Sequence, residues 1–103
     1  MNQSIFELQA YFCKTMGNAV RLKILHILRE HPMTVSEICN ETGLPQGTIS
    51  HQLAVLRSLG VVAPRQLGNS RVYQITDEKI GMLCDLVRSV LVEQIRARSH
   101  SIE

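Results

Sequence analysis

The chain has 103 residues, of which 45% are hydrophobic and 4% aromatic, with three cysteines, no tryptophan and a formal net charge of +2. That is enough for a single domain, residues 1–103, with a modest core; the few aromatics argue against single-strand binding by base stacking. An odd number of widely spaced cysteines excludes a secreted disulfide framework. With no signal peptide and no apolar run of membrane-spanning length, a cytoplasmic protein without a membrane partner is expected.

The first predicted helix covers residues 4–16, with Ser4 as its cap. Ile5, Leu8, Phe12 and Met16 line one side, and Phe6 and Cys13 the neighbouring one. This apolar surface is broader than a three-helix core would cover. Gly17-Asn18 breaks the helix, and Asn18 caps the next segment, AVRLKILHILREH. Leu22, Ile24, Leu25, Ile27 and Leu28 make that segment apolar over more than half its circumference, so it reads as the core helix, ended by His31-Pro32. His26 on it reads as a partly buried side chain with a satisfied partner, and His31 and His100 as solvated.

Residues 34–59 read as two short helices joined by a tight turn. Thr34 and Glu37 form a capping box. Val35 and Ile38 supply the buried side, Gly43 stops the helix in a left-handed conformation, and Leu44 plugs the turn. Cys39, four positions before Gly43, is the small residue that lets the two helices cross, and it reads as packing. Pro45 opens the second helix at its first position, where a missing N–H costs nothing. Ile49, Leu53 and Leu56 form its apolar stripe. The opposite face carries Gln46, Thr48, Ser50, His51 and Gln52. Short hydroxyls and amides without an acid suit the DNA major groove, which admits a helix and displays base edges to its first turns. Taken alone, such a motif is also an ordinary helical corner; the segment C-terminal to it decides between the two.

Gly60 closes the second helix, and residues 61–76 read as a hairpin. Val61 and Val62 begin a strand, and Pro64 requires an edge or a strand start. Gly68-Asn69 is a two-residue turn signal of the primed kind. It pairs Gln66 with Arg71 and Leu67 with Ser70, and it puts Tyr73, Ile75 and Val62 on the face toward the helices. The tip then carries Gln66, Asn69, Ser70 and Arg71, placed as a wing to touch the DNA backbone or minor groove. Residues 77–97 form the last helix, begun by Asp77 and striped by Ile80, Leu83, Cys84, Val87, Val90, Leu91 and Ile95. This stripe and the first helix exceed what the core can bury.

The expected fold is therefore mainly α with a β-hairpin wing: a winged helix-turn-helix forming a homodimer through the first and last helices, residues 4–16 and 77–97. From Gly43 to Thr76 there is no Asp or Glu, while Arg57, Arg65 and Arg71 fall inside that span. A cationic centre between acidic shoulders is the footprint of a surface that meets phosphates. The expected contacts with a double-stranded DNA operator are Gln46, Thr48, Ser50, His51, Gln52, Arg57, Arg65, Asn69 and Arg71. No nucleophile–base spacing or glycine-rich phosphate loop points to an enzyme. A winged helix used for protein contacts without DNA is the remaining alternative; that version usually loses the acid-free face and cationic wing kept here.

These residues resemble the ArsR/SmtB family of winged-helix repressors over nearly the whole chain. MGNAVRLKILHIL is similar to the family's core helix, with Ala19 where proline is usual. GLPQGTISHQLAVLRSLGVV is similar to its recognition segment, with Pro45 and Gly47 in place of two serines, and GNSRVYQI matches the wing. The resemblance implies a dimeric repressor that leaves its operator on sensing a metal ion or another chemical signal. The family's usual zinc and arsenic sites do not carry over. Thr34-Val35-Ser36 stands where one site has Cys-x-Cys, and the recognition helix has no cysteine. At a further site Asp77 and Glu93 match, but Lys79 and Val90 occupy the histidine positions.

No certain cofactor is implied, and the metal residues are unknown. Cys13 and Cys84 lie on helices expected to pack together at the dimer seam. Two readings stay open for them: plain core, or a thiol pair that oxidises, takes up sulfur or binds a soft metal. Of the signals, a thiol-based one is favoured over zinc or cobalt.

Overall fold

A computed structural model describes residues 4–102, with side chains through residue 99; the His100 side chain and the ends of the 1–103 span lie outside the described residues. The order of elements is α1 (Ile5–Met16), α2 (Ala19–Leu28), α3 (Val35–Thr42), α4 (Gln46–Ser58), β1 (Val62–Leu67), β2 (Ser70–Ile75) and α5 (Glu78–Ile102). It is a mainly helical winged helix-turn-helix with a two-stranded antiparallel hairpin.

Local chemistry accounts for most of the element ends. Ser4 and Glu7 make a reciprocal capping box at the start of α1, as Thr34 and Glu37 do at α3. The Glu37 carboxyl is held below its ordinary range, chiefly by the donated backbone N–H of Thr34. Asn18 caps α2 by accepting from the Arg21 N–H at 3.1 Å. Gly43 ends α3 at φ 74°, and its N–H donates to the Cys39 carbonyl at 2.8 Å. Pro45 departs from its expected place: it is the residue before α4, extended at φ −65° and ψ 154°, because the restriction of its ring fits the cap as well as the first helical position.

The core is where α2, α3 and α4 cross. Ile24, Leu25, Ile38, Ile49, Leu53 and Leu56 are fully enclosed, with Met16, Leu28, Met33, Val61 and Val62 around them. Cys39 and Leu44 are half-buried and pack against this cluster. Three expectations for α2 change. It ends at Leu28, before His31-Pro32, because the Arg29 N–H already turns back to the carbonyls of His26 and Ile27. Leu22 is exposed, since it faces a groove between α1 and α5. His26 is exposed too, and so not the partly buried side chain expected.

The hairpin has the expected register, Val62 opposite Ile75 through Leu67 opposite Ser70. Within the turn Gly68 has positive φ, 62°, and Asn69 does not, the order of φ signs that a type II′ turn takes. Met33 adds a pairing that the sequence does not suggest. Its N–H donates to the Tyr73 carbonyl at 3.1 Å and its carbonyl accepts from the Tyr73 N–H at 2.7 Å. β2 therefore lies between β1 and Met33, and Val72, on the face away from Tyr73, is buried as well.

α5 runs beyond the expected residue 97 to Ile102, about 37 Å at ~1.5 Å per residue. It is fastened to α2 by Arg29, which crosses Gly81 to pair with Asp85. A Cβ at Gly81 would lie 2.6 Å from the Arg29 Cδ, so only glycine leaves the crossing free. The hydrogen bond from Arg29, with a second from Arg88, holds the Asp85 carboxyl below its ordinary range.

Candidate nucleic-acid interface and thiol groove

On α4 the buried stripe of Ile49, Leu53 and Leu56 fixes which side faces out. Directly opposite it, at helical spacing, come Gly47, His51 and Ala54. The imidazole of His51 thus stands between two small residues, on a face that can approach a surface closely. Gln46, Ser50 and Arg57 form one shoulder of this face and all are exposed. Thr48 and Gln52 form the other shoulder and are half-buried.

The Gln52 amide is not free on both sides. Its Oε1 accepts a 2.7 Å hydrogen bond from Arg21 Nε on α2. An arginine only donates, so the amide oxygen must face inward, leaving the two N–H donors for any outside partner. Spacing could not reveal this partner, 31 residues away in the chain.

Arg65, Asn69 and Arg71 are exposed on the wing. Arg71 and Tyr73 share a strand face, and the Arg71 guanidinium carbon lies 5.6 Å from the Tyr73 ring centroid. A cation over an aromatic face is held electrostatically, which limits the wing arginine to fewer orientations. At the turn, Gln66 Nε2 donates to the Gly68 carbonyl at 3.1 Å. The whole span from α4 to the end of the wing is acid-free. It can therefore offer base-edge donors and acceptors on α4 and cations to phosphates on both sides.

Cys13 and Cys84 line one groove between α1 and α5, ≈ 360 Å³ in volume, with Phe12, Met16, Leu83 and Val87. Cys13 is exposed and Cys84 half-buried. Burial pushes the Cys84 thiol up, against a smaller opposite pull from Arg88. Among the described residues no group of three or more His, Cys, Asp or Glu side chains could hold a metal ion. The start of α5 does not fit one either: the Asp77 carboxylate already accepts from the Lys79 N–H at 2.9 Å and lies 3.0 Å from its ammonium. No helix among the described residues is long and apolar enough to cross a membrane.

Residues 18–63 match the family described as bacterial regulatory protein, arsR family. The chain is 35% identical over 103 residues to the uncharacterized HTH-type transcriptional regulator Rv0081 of Mycobacterium tuberculosis, covering 99% of this chain and 90% of that one. The crystal structure of Rv0081 superposes with a TM-score of 0.83 at 36% identity, over 94% of this chain and 98% of the other. The homodimeric winged helix-turn-helix DNA-binding domain of Mb0332 from Mycobacterium bovis gives 0.81 at 31% identity, over 93% and 94%. The transcriptional repressor BigR of Xylella fastidiosa gives 0.70 at 32% identity, over 82% and 84%.

Proposed function

The chain belongs to the arsR family of bacterial regulatory proteins, and on that premise we propose that it is a dimeric, cytoplasmic repressor that grips an operator through α4 and the wing and lets go on a thiol signal. One observation carries the DNA-binding part: α4 and the wing come from one span, Gly43 to Thr76, that holds no acid, and Arg57, Arg65 and Arg71 within it are all exposed. Gln46, Thr48, Ser50, His51 and Gln52 read bases; Arg57, Arg65, Asn69 and Arg71 set the register on the backbone.

The dimer rests on the apolar side chains left uncovered. Among the described residues, every large exposed hydrophobic except Leu22 and Leu67 lies on α1 or α5, from Ile5, 70% exposed, to Ile95, 59% exposed. So contiguous an apolar face belongs to an interface. Two chains joined there present two α4 helices to successive major grooves.

The signal rests on the groove that both thiols share. Cys13, the exposed thiol, meets a reagent first, and Cys84 then resolves the adduct. With peroxide the two thiols give up two protons and two electrons, leaving one disulfide and two waters. The test is a mobility shift with the DNA upstream of its own gene, across salt concentrations, for the wild type and for the Cys13→Ser, Cys84→Ser double variant. Each is challenged with peroxide, polysulfide, arsenite and cadmium. A wild type that binds and is released, beside a double variant that binds and stays, supports the reading. Binding by neither would return the chain to a protein-contact role, and equal release of both would rule out the thiols.

A further inference from the structure

Arg21 lies on α2, outside α1, α4 and the wing, yet its side chain is bonded to both α1 and α4. Its backbone N–H donates to the Asn18 cap, which fixes it in the first turn of α2. From there the guanidinium reaches two ways. Nη1 donates to the Thr15 carbonyl in the last turn of α1 at 2.7 Å, and Nε donates to Gln52 Oε1 on α4 at 2.7 Å. Both lengths are those of charge-assisted bonds.

The Thr15 carbonyl is one of those that an α-helix leaves without an internal partner at its C-terminus. In α1 the Gly17 N–H takes the Cys13 and Lys14 carbonyls and the Asn18 N–H takes that of Met16. Arg21 completes the set and also places a cation at the negative end of the helix dipole. The planar guanidinium keeps Nε and Nη1 at a fixed separation, so Thr15 and Gln52 are held relative to each other through one rigid group. A lysine ammonium, a single point on a flexible stem, cannot do this.

We infer that Arg21 is a positioning residue for DNA recognition: it orients the Gln52 amide on α4 and ties that amide to the last turn of α1, the turn that begins at Cys13. A shift of α1 in the seam then moves the Thr15 carbonyl, turns the guanidinium and re-aims Gln52. The orienting of Gln52 rests on the DNA-binding reading alone; the link to a signal rests also on the thiol reading.

The experiment uses the full chain as wild type, Arg21→Met, Arg21→Lys, Gln52→Met and the Arg21→Met, Gln52→Met double variant. Affinities are measured for a duplex selected by the protein from a random pool and for a scrambled duplex of equal length, with thermal unfolding alongside. Arg21→Met and Gln52→Met should each lower the specific-to-scrambled ratio roughly tenfold, the size of one lost base contact. The double variant should fall no more than about twofold further, because the two act as one unit. Arg21→Lys should lose the ratio as well. Additive losses would overturn the inference, as would an Arg21→Met protein that melts earlier yet keeps its ratio, the mark of a merely structural corner. In a second arm, wild type and Arg21→Lys are compared before and after peroxide. Loss of affinity in the wild type with a blunted loss in Arg21→Lys supports the tie to α1, and equal losses overturn it. A wild type indifferent to peroxide removes the thiol reading, and the first arm still decides the role of Arg21.

Discussion

From α2 to the wing, the chain closes on itself. Ile24, Ile38, Ile49 and Leu56 have no exposed surface, and every buried side-chain polar atom among the described residues has a partner. α1 and α5 do the opposite. Phe6 is 76% exposed and Leu86 65%, on helices whose other sides are fastened by Met16, Ile80 and the Arg29–Asp85 pair. On the proposed function the difference separates two jobs: one region is the rigid reading head, and the other is the surface that a second chain covers.

The largest expected effects come from making a like change in each region. Leu56→Ala should cost roughly 2–5 kcal/mol of stability, as core truncations do, and that cost should not vary with protein concentration. Leu91→Glu or Val87→Glu should leave the monomer folded but weaken self-association roughly a hundredfold or more, since a symmetric seam buries the charge twice. Thermal unfolding at several concentrations, with sedimentation, tells these apart. A Leu91→Glu protein that is still a tight dimer would place the seam elsewhere.

Within the reading head, His51→Ala or Ser50→Ala should cost roughly 1–3 kcal/mol of specific binding and leave scrambled DNA nearly unaffected. Arg71→Ala should weaken both alike and flatten the salt dependence by about one unit. Fluorescence anisotropy across a salt series reads both; a shift in sequence preference from Arg71→Ala alone would reverse the assignment.

Two smaller changes sharpen the same contrast. Thr34→Ala removes the cap of α3 and should cost about 1 kcal/mol of fold stability. Ser4→Ala removes the matching cap of α1 and should show chiefly in dimer affinity. Gly81→Ala gains roughly 1 kcal/mol of helix propensity while pushing Arg29 off its crossing. Stability should therefore hold or rise slightly as α5 loosens on α2, which hydrogen exchange in α5 would register.

Short-range chemistry is what the sequence makes legible. Thr34, Glu37 and Gly43 bound α3, and Gly68-Asn69 sets the hairpin register, each within a few residues. Features that depend on distant partners stay hidden. The Gln52 amide looks like any polar residue on an outward face until Arg21 is seen to hold it. Met33 looks like a linker residue until it pairs with Tyr73. The apolar periods assign Cys13 and Cys84 to the first and last helices, but only the fold puts them in one groove. The extra turn of α5 is silent in the sequence because residues 98–102 are mostly polar and carry no apolar period.

The most direct test of the two-region account is sedimentation equilibrium of the wild type at micromolar concentration, alone and with a duplex carrying the selected site. A seam on α1 and α5 requires a dimer in both, with two chains per duplex and a Leu91→Glu variant that sediments as a monomer and binds poorly. A wild type that sediments as a monomer alone and binds its duplex as a single chain with full affinity would contradict it.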